Sequence, residues 1–270
     1  MITAKRAVVA ARSAASITVG LTRATRRPDR SANYAAHFLF HRAKPVALSW
    51  HGFQIWARGL DWPALQEVLI ENEYGALADY LVAQPSPVVL DLGANIGTFS
   101  LFVFSIAPTA RVHSFEPSAA TFDVLSKTRR ANPQCQWDIN RAAAWREDGS
   151  ISFANGLSST AGQVAADGDE TVPARSLASI LRTCGGEIDV AKIDIEGAEE
   201  AVLADSQAEL LRIRTLVVEL HPDRCNSPRV VRALRECYGN LYMIPGRRSA
   251  KPLILATRQR PPANLPFYLD

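Results

Sequence analysis

Apolar positions along the chain change rhythm at Pro85-Ser86-Pro87. Before that break, Tyr34 to Arg42 reads as a short helix or turn, and Val46–Trp50 and Phe53–Ala57 flank His51-Gly52 as a small β-hairpin. Asp61 is placed to cap a helix starting near Pro63, since proline suits a first turn, with Leu65, Val68 and Leu69 on one side. A second helical stretch covers Ala76 to Val82. After the break, short apolar runs at Val88–Leu92, Arg111–Phe115, Cys135–Ala142, Ile188–Ile193 and Leu216–Leu220 alternate with helical stretches. Those stretches are Gly97–Ile106, Ala119–Arg130, Leu177–Thr183, Glu199–Leu210 and Pro228–Cys237. The alternation predicts an α/β fold, a mostly parallel sheet flanked by helices. Between Gly149 and Pro173 the rhythm lapses into an edge strand, Ile151-Ser152-Phe153, and a Gly/Ser/Asp-rich loop from Asn155 to Asp169; loops that long are functional or disordered.

Charge divides the chain further. Residues 1–30 hold Lys5, Arg6, Arg12, Arg23, Arg26, Arg27 and Arg30 against the single acid Asp29, although the whole chain is only +3. The remainder is therefore mildly acidic, which offers no footprint for nucleic acid. Three parts are expected: a basic flexible tail (1–30), a helix/hairpin extension (31–87) and a main domain (88–270). The tail's Ala/Ser/Thr/Arg composition also suits a transit peptide or contact with anionic lipid, and Arg12 interrupts a secretory h-region. No apolar run reaches spanning length. Cys135, Cys184, Cys225 and Cys237 form no CxxC pair, which fits a reducing compartment and argues against zinc, so the expected location is the cytoplasm.

Chemistry concentrates at the strand ends. Val88-Val89-Leu90 runs into Asp91-Leu92-Gly93-Ala94-Asn95-Ile96-Gly97, a turn opening a helix. Gly93 and Gly97 are expected to let backbone approach a ligand, and the helix start to favour an anionic group. Glu116 ends the next strand, where a carboxylate can accept from both hydroxyls of a ribose. The turn lacks the Gly-x-Gly-x-x-Gly fingerprint, which disfavours a dinucleotide's pyrophosphate. Asp194 emerges from Ile188–Ile193, and an acid ending a core strand needs a partner. Glu219 and His221 share one side of the strand in Val217-Val218-Glu219-Leu220-His221-Pro222, a histidine beside a carboxylate being a plausible general base.

In this order, Asp91–Gly97 with Ser100, Phe115-Glu116-Pro117, Lys192-Ile193-Asp194-Ile195-Glu196-Gly197-Ala198-Glu199 and Val218-Glu219-Leu220-His221 resemble the FkbM family of S-adenosylmethionine-dependent methyltransferases. Asn140-Arg141-Ala142-Ala143 and the Glu73-Tyr74 pair resemble it too, and coverage runs from about Leu60 to Pro222. Arg175-Ser176-Leu177-Ala178 departs from it, lacking the acid of the usual Thr-Leu-Asp. The resemblance implies a Rossmann-like class I methyltransferase fold, S-adenosylmethionine as cofactor, and transfer to a hydroxyl of a sugar, glycan or secondary metabolite. It implies that Asp91, Gly93, Ala94, Asn95 and Gly97 hold the methionine end, Glu116 the ribose, and Asn140 or its neighbours the adenine, with Asp194 beside the reactive end.

The expected reaction is in-line displacement at the methyl group, with His221, then Asp194, then Glu219 as candidate bases and Tyr74 as an orienting donor. No metal is expected, although Asp194, Glu219 and His221 make an oxygen-rich set that suits magnesium. A nicotinamide-dependent oxidoreductase and a non-catalytic cofactor-binding protein are the alternatives. Acceptor selectivity is expected from the N-terminal segment, the Asn155–Asp169 loop and the stretch after Cys225. Trp50, Trp56 and Trp62 are placed either to stack on a sugar or to fill the hairpin core. Arg247, Arg248 and Lys251 are placed either to attract an anionic acceptor or to stay solvated. The expected partner is a small-molecule or glycan acceptor, with membrane contact only through the basic tail.

Overall fold

A computed structural model describes residues 2–40, 43–156, 162–165, 167–244 and 251–259, with side chains from residue 14 onward. The basic leader, expected as a flexible tail, is the helix α1 (Ile2–Thr25), followed by α2 (Pro28–Leu39). Ile17 and Leu21 of α1 are buried, and this explains its order: they join the same apolar cluster as the rest of the N-terminal segment. The hairpin forms as expected, from β1 (Val46–Trp50) and β2 (Phe53–Ala57). Its turn residues, His51 (φ 47) and Gly52 (φ 86), are both left-handed, the geometry that matches the strands' twist. Next come α3 (Trp62–Leu65), which runs on as a π-helical turn over Gln66–Ile70, and α4 (Ala78–Val82).

The main sheet contains β3 (Val88–Leu92), β4 (Arg111–Phe115) and β5 (Gln136–Asn140), separated by α5 (Thr98–Ile106) and α6 (Ala119–Ala131). A second sheet follows: β6 (Ala143–Ala144), β7 (Gly149–Ala154), β8 (Gln163–Val164) and β9 (Glu170–Arg175), in the order β6-β9-β7-β8. The region expected as one edge strand and a loop is thus a four-stranded sheet, with residues 157–161 and 166 outside the described residues. The chain then returns through α7 (Leu177–Thr183), β10 (Ile188–Ile193), α8 (Glu199–Leu203), α9 (Gln207–Leu210), β11 (Ile213–Glu219) and α10 (Ser227–Cys237). Two strands not foreseen, β12 (Asn240–Ile244) and β13 (Leu253–Thr257), complete it. The single helix expected over Glu199–Leu210 is two helices, because Ser206 turns its hydroxyl onto Val202 O at 2.7 Å and breaks the ladder between them.

The order of the main sheet is β12-β13-β11-β10-β3-β4-β5, parallel from β5 to β11, with β13 antiparallel to its neighbours. Strand order reverses between β3 and β10, and in open α/β sheets ligands bind beyond the carboxyl ends at such a point. The N-terminal segment packs onto this sheet through one continuous apolar cluster, in which Tyr34, Leu48 and Leu65 join Phe99, Phe102 and Val112. Polar contacts fix the docking. Arg58 donates to both oxygens of buried Asp61 (Nε to Oδ2 3.0 Å, Nη2 to Oδ1 2.8 Å) and reaches α6 at Ala120 O and Thr121 Oγ1. Asn132 and Thr128 of α6 satisfy the backbone of β2 at Gln54 and Trp56, so side chains take the place of a third hairpin strand.

Candidate functional site

β3, β4 and β10 end in one cavity of about 1200 Å³, counted to its open mouth. Its floor is made by Gly93, Ala94, Asn95, Glu116, Lys192 and Asp194. The N-terminal segment forms one wall through Leu60, Ala64, Glu67, Val68 and Tyr74; Phe153, Asn155, Gly162 and Val164 of the second sheet form another. Tyr74 packs edge-on against Phe99 (centroids 4.9 Å apart), and burial pushes its phenol well above the usual range. None of Trp50, Trp56 and Trp62 lines the cavity; Trp50 is buried in the apolar cluster and the other two pack against it.

Glu116 is buried, with Oε2 accepting from Asn95 N (2.9 Å) and Oε1 from Ser118 N (3.0 Å). Burial outweighs these bonds and pushes its carboxyl up to about 7. Asp194 borders the same cavity, and its Oδ1 is buried with no hydrogen-bond partner among the described residues.

The glycine turn departs from expectation. Its amides serve the turn itself: Gly93 N and Ala94 N donate to Phe115 O, Asn95 N to Glu116, Ile96 N to Asn95 Oδ1 and Gly97 N to Ala94 O. Gly93 (φ 75) and Gly97 (φ 91) are required by the protein's own packing. A Cβ on Gly93 would fall on the Asp194 carbonyl oxygen, and one on Gly97 against Trp137 and Leu125. The helix start borders the cavity through Thr98 and Phe99, the place where an anionic group is favoured.

Asp91 does not line the cavity. Fully buried, it accepts from Ser100 Oγ at 2.7 Å and lies 3.6 Å from Lys192 Nζ, and burial raises its carboxyl above the usual range. Asn140 is likewise displaced, lining a separate depression with Arg141, Pro173 and Arg175, while Ala142, Ala143 and Ala144 border the cavity in its place.

Lys192 is the residue that sequence reasoning passed over. It lines the cavity, donates to Gly93 O (2.6 Å) and Leu92 O (3.3 Å), and lies 3.8 Å from Asp194 Oδ2. A lysine one residue before the end of a core strand is the signal that marks it, since lysine is almost never buried unpaired.

His221 and Glu219 stand behind Asp194, off the cavity wall. Fully buried His221 shares a short contact between Nδ1 and Glu199 Oε1 (2.9 Å). Its Nε2 lies 3.2 Å from Glu196 Oε2, 3.6 Å from Glu219 Oε1 and 3.9 Å from Asp194 Oδ1. Burial alone would lower its pKa; the carboxylates around it, Glu196 and Glu199 foremost, outweigh that and push it up to about 10. Burial, reinforced by Asp194, pushes Glu219 up to about 8. His221, expected first among the candidate bases, is therefore a buried imidazolium at neutral pH with no proton vacancy facing the cavity. Arg247 and Arg248 lie outside the described residues; Lys251 pairs with Glu196 (3.0 Å) and Glu219 (3.4 Å). Among the described residues no helix is long and apolar enough to cross a membrane.

The family model described as Methyltransferase FkbM domain matches residues 91–238. The AMB antimetabolite synthetase AmbE of Pseudomonas aeruginosa is 30% identical over 202 residues, 59% of this chain and 9% of that protein. The hexuronic acid methyltransferase AglP of Haloferax volcanii is 29% identical over 148 residues, 52% of this chain and 58% of that one. The matched stretches thus span less than two thirds of either relative's length. Among solved structures, a methyltransferase FkbM from Methylobacillus flagellatus superimposes with a TM-score of 0.49 at 14% identity, covering 72% of this chain and 60% of that one.

Proposed function

The chain belongs to the FkbM methyltransferase family, and from that premise we propose that it moves a methyl group from S-adenosylmethionine to a hydroxyl of a sugar, glycan or secondary metabolite. The observation that carries the reading is one cavity, at the reversal of strand order, with a carboxylate just past the end of each of two strands: buried Glu116 after β4, half-buried Asp194 after β10. Asp194, which borders that cavity, has an oxygen, Oδ1, without a hydrogen-bond partner among the described residues, and this fits a site made for a polar ligand.

Glu116 would accept from the ribose hydroxyls, each of its oxygens keeping a lone pair beyond the amide it already accepts from. Lys192 and the start of α5 favour a carboxylate such as that of the methionine moiety. Asp91 would act through Lys192 and Ser100, holding both in place rather than touching the ligand. When bound, the cofactor supplies a methyl group already activated on a sulfonium, so the protein has to orient the acceptor and take its proton. With His221 protonated and off the wall, Asp194 is the group positioned for that proton. Asp194 would take up the proton that the acceptor's hydroxyl gives up, while the bound cofactor would supply the methyl group and leave as a neutral thioether. A base in this position is worth about 10² to 10⁴-fold. The likeness to a hexuronic acid methyltransferase supports a sugar acceptor.

The test is calorimetric titration with S-adenosylhomocysteine, with NAD as the comparison, followed by mass spectrometry of a sugar and glycan panel after incubation with labelled cofactor. Binding of the nucleoside and a labelled O-methyl product are expected. Binding of NAD instead would overturn the reading. Asp194→Asn should lower turnover at least about 100-fold while S-adenosylhomocysteine still binds.

A further inference from the structure

The cluster behind the cavity has more donors than proton transfer uses. We propose that Asp194, Glu219 and His221 form a binding site for a divalent cation of the magnesium or manganese kind. One ligand-type atom from each lies within 4.8 Å of the others. His221 Nε2 is buried without an aligned hydrogen bond among the described residues, and carboxylate oxygens surround it: Glu196 Oε2 at 3.2 Å, Glu219 Oε1 at 3.6 Å and Asp194 Oδ1 at 3.9 Å. Asp194 Oδ1 lacks a partner as well. For oxygen ligands at roughly 2.1 Å from such an ion, neighbouring ligand atoms stand about 3 Å apart and opposite ones about 4.2 Å, and the spacings of 3.6 and 3.9 Å fall between the two.

A further observation points the same way. Glu199, on α8 and fully buried, holds His221 Nδ1 at 2.9 Å, the outer carboxylate that fixes a histidine's orientation and leaves Nε2 for a metal. The ion and a proton on Nε2 are alternatives at the same position. One imidazole nitrogen with two carboxylates suits manganese and magnesium better than a thiolate-seeking metal. The inference rests on the methyl-transfer reading only for its use: an ion there would hold Asp194, which borders the cavity, in one orientation from behind.

Chelator-stripped protein titrated with Mn²⁺ should remove the free-ion electron paramagnetic resonance signal with one site per chain, and Mg²⁺ should compete. His221→Gln and Glu219→Gln should abolish uptake, and Glu199→Gln should weaken it by about 10 to 100-fold. Circular dichroism and melting temperature establish that each variant is folded, and Glu199→Gln, which leaves all three ligands in place, is the variant that decides if another unfolds. S-adenosylhomocysteine titration without metal is read in parallel. Nucleoside binding without Mn²⁺ uptake overturns the cation site and leaves the methyltransferase; Mn²⁺ uptake without nucleoside binding does the reverse. Uptake that persists in every variant places the ion elsewhere and overturns the proposal.

Discussion

Glu116 shows how one side chain ties stability to ligand binding. Its carboxyl is pushed up to about 7, above its ordinary value of 4.5, by burial. Between those values the folded chain holds a proton that the unfolded chain has released, so stability from this group is greatest at low pH and falls as pH rises toward 7. The full cost is on the order of 3 kcal/mol. Ribose hydroxyls donate best to the ionised carboxylate, so nucleoside affinity should move the other way. The dissociation constant of S-adenosylhomocysteine should fall roughly tenfold per pH unit below about 7 and then level off. Glu116→Gln should flatten that profile and weaken binding throughout; a flat profile in the unaltered protein would dissociate Glu116 from the ribose. Gly93 makes the complementary case for backbone. Gly93→Ala puts a Cβ onto the Asp194 carbonyl oxygen at φ 75, forcing β3 and β10 apart at their ends. A loss of more than about 2 kcal/mol in urea unfolding is expected, together with lost nucleoside binding.

At the scale of elements, the parallel strands were legible because short, largely apolar stretches bounded by turn residues alternate with helical stretches. Val88–Leu92, Arg111–Phe115 and Ile188–Ile193 form with the expected bounds. β12 and β13 were not legible: β12 follows α10 after only Tyr238 and Gly239, and a five-residue apolar run such as Leu253–Thr257 has no periodicity to separate strand from helix. The site was legible to the same degree. Strand ends identify Glu116 and Asp194, but which way Asp91 faces depends on Lys192 arriving from a strand distant in sequence, and local pattern does not encode that partner. The hairpin and α6 show a similar dependence. Asp61 is expected only as a helix cap, yet it is buried in a pair with Arg58, whose fork reaches α6. Removing one partner strands the other charge, so Arg58→Met should cost roughly 3 to 5 kcal/mol by chemical denaturation. The double variant Arg58→Met with Asp61→Leu should recover much of it. A single-variant cost below about 1 kcal/mol would show the pair to be solvated in solution.

Over the whole molecule, the N-terminal segment and the sheet share one apolar cluster, so they should fold together rather than as a domain with an appendage. α1 meets the π-helical turn that bears Val68 and Leu69, and Val68 in turn lines the cavity; a helix far from the chemistry is thereby tied to the wall that an acceptor would touch. Leu21 of α1 is fully buried in the same apolar cluster. Leu21→Ala should cost about 2 to 5 kcal/mol, the range for deleting a leucine side chain from a packed core. The tryptophans allow the cooperativity to be read directly: Trp50, Trp56 and Trp62 report on the N-terminal segment, Trp137 and Trp145 on the sheet side. If the cluster is one cooperative unit, fluorescence and far-ultraviolet circular dichroism should give a single coincident transition in the unaltered chain and in Leu21→Ala, the latter shifted to lower denaturant. Acceptor affinity should weaken in the variant while nucleoside affinity holds, because Val68 belongs to the wall and Glu116 to the floor. Two separated transitions, or equal loss of both affinities, would mean that α1 supports the floor by another route.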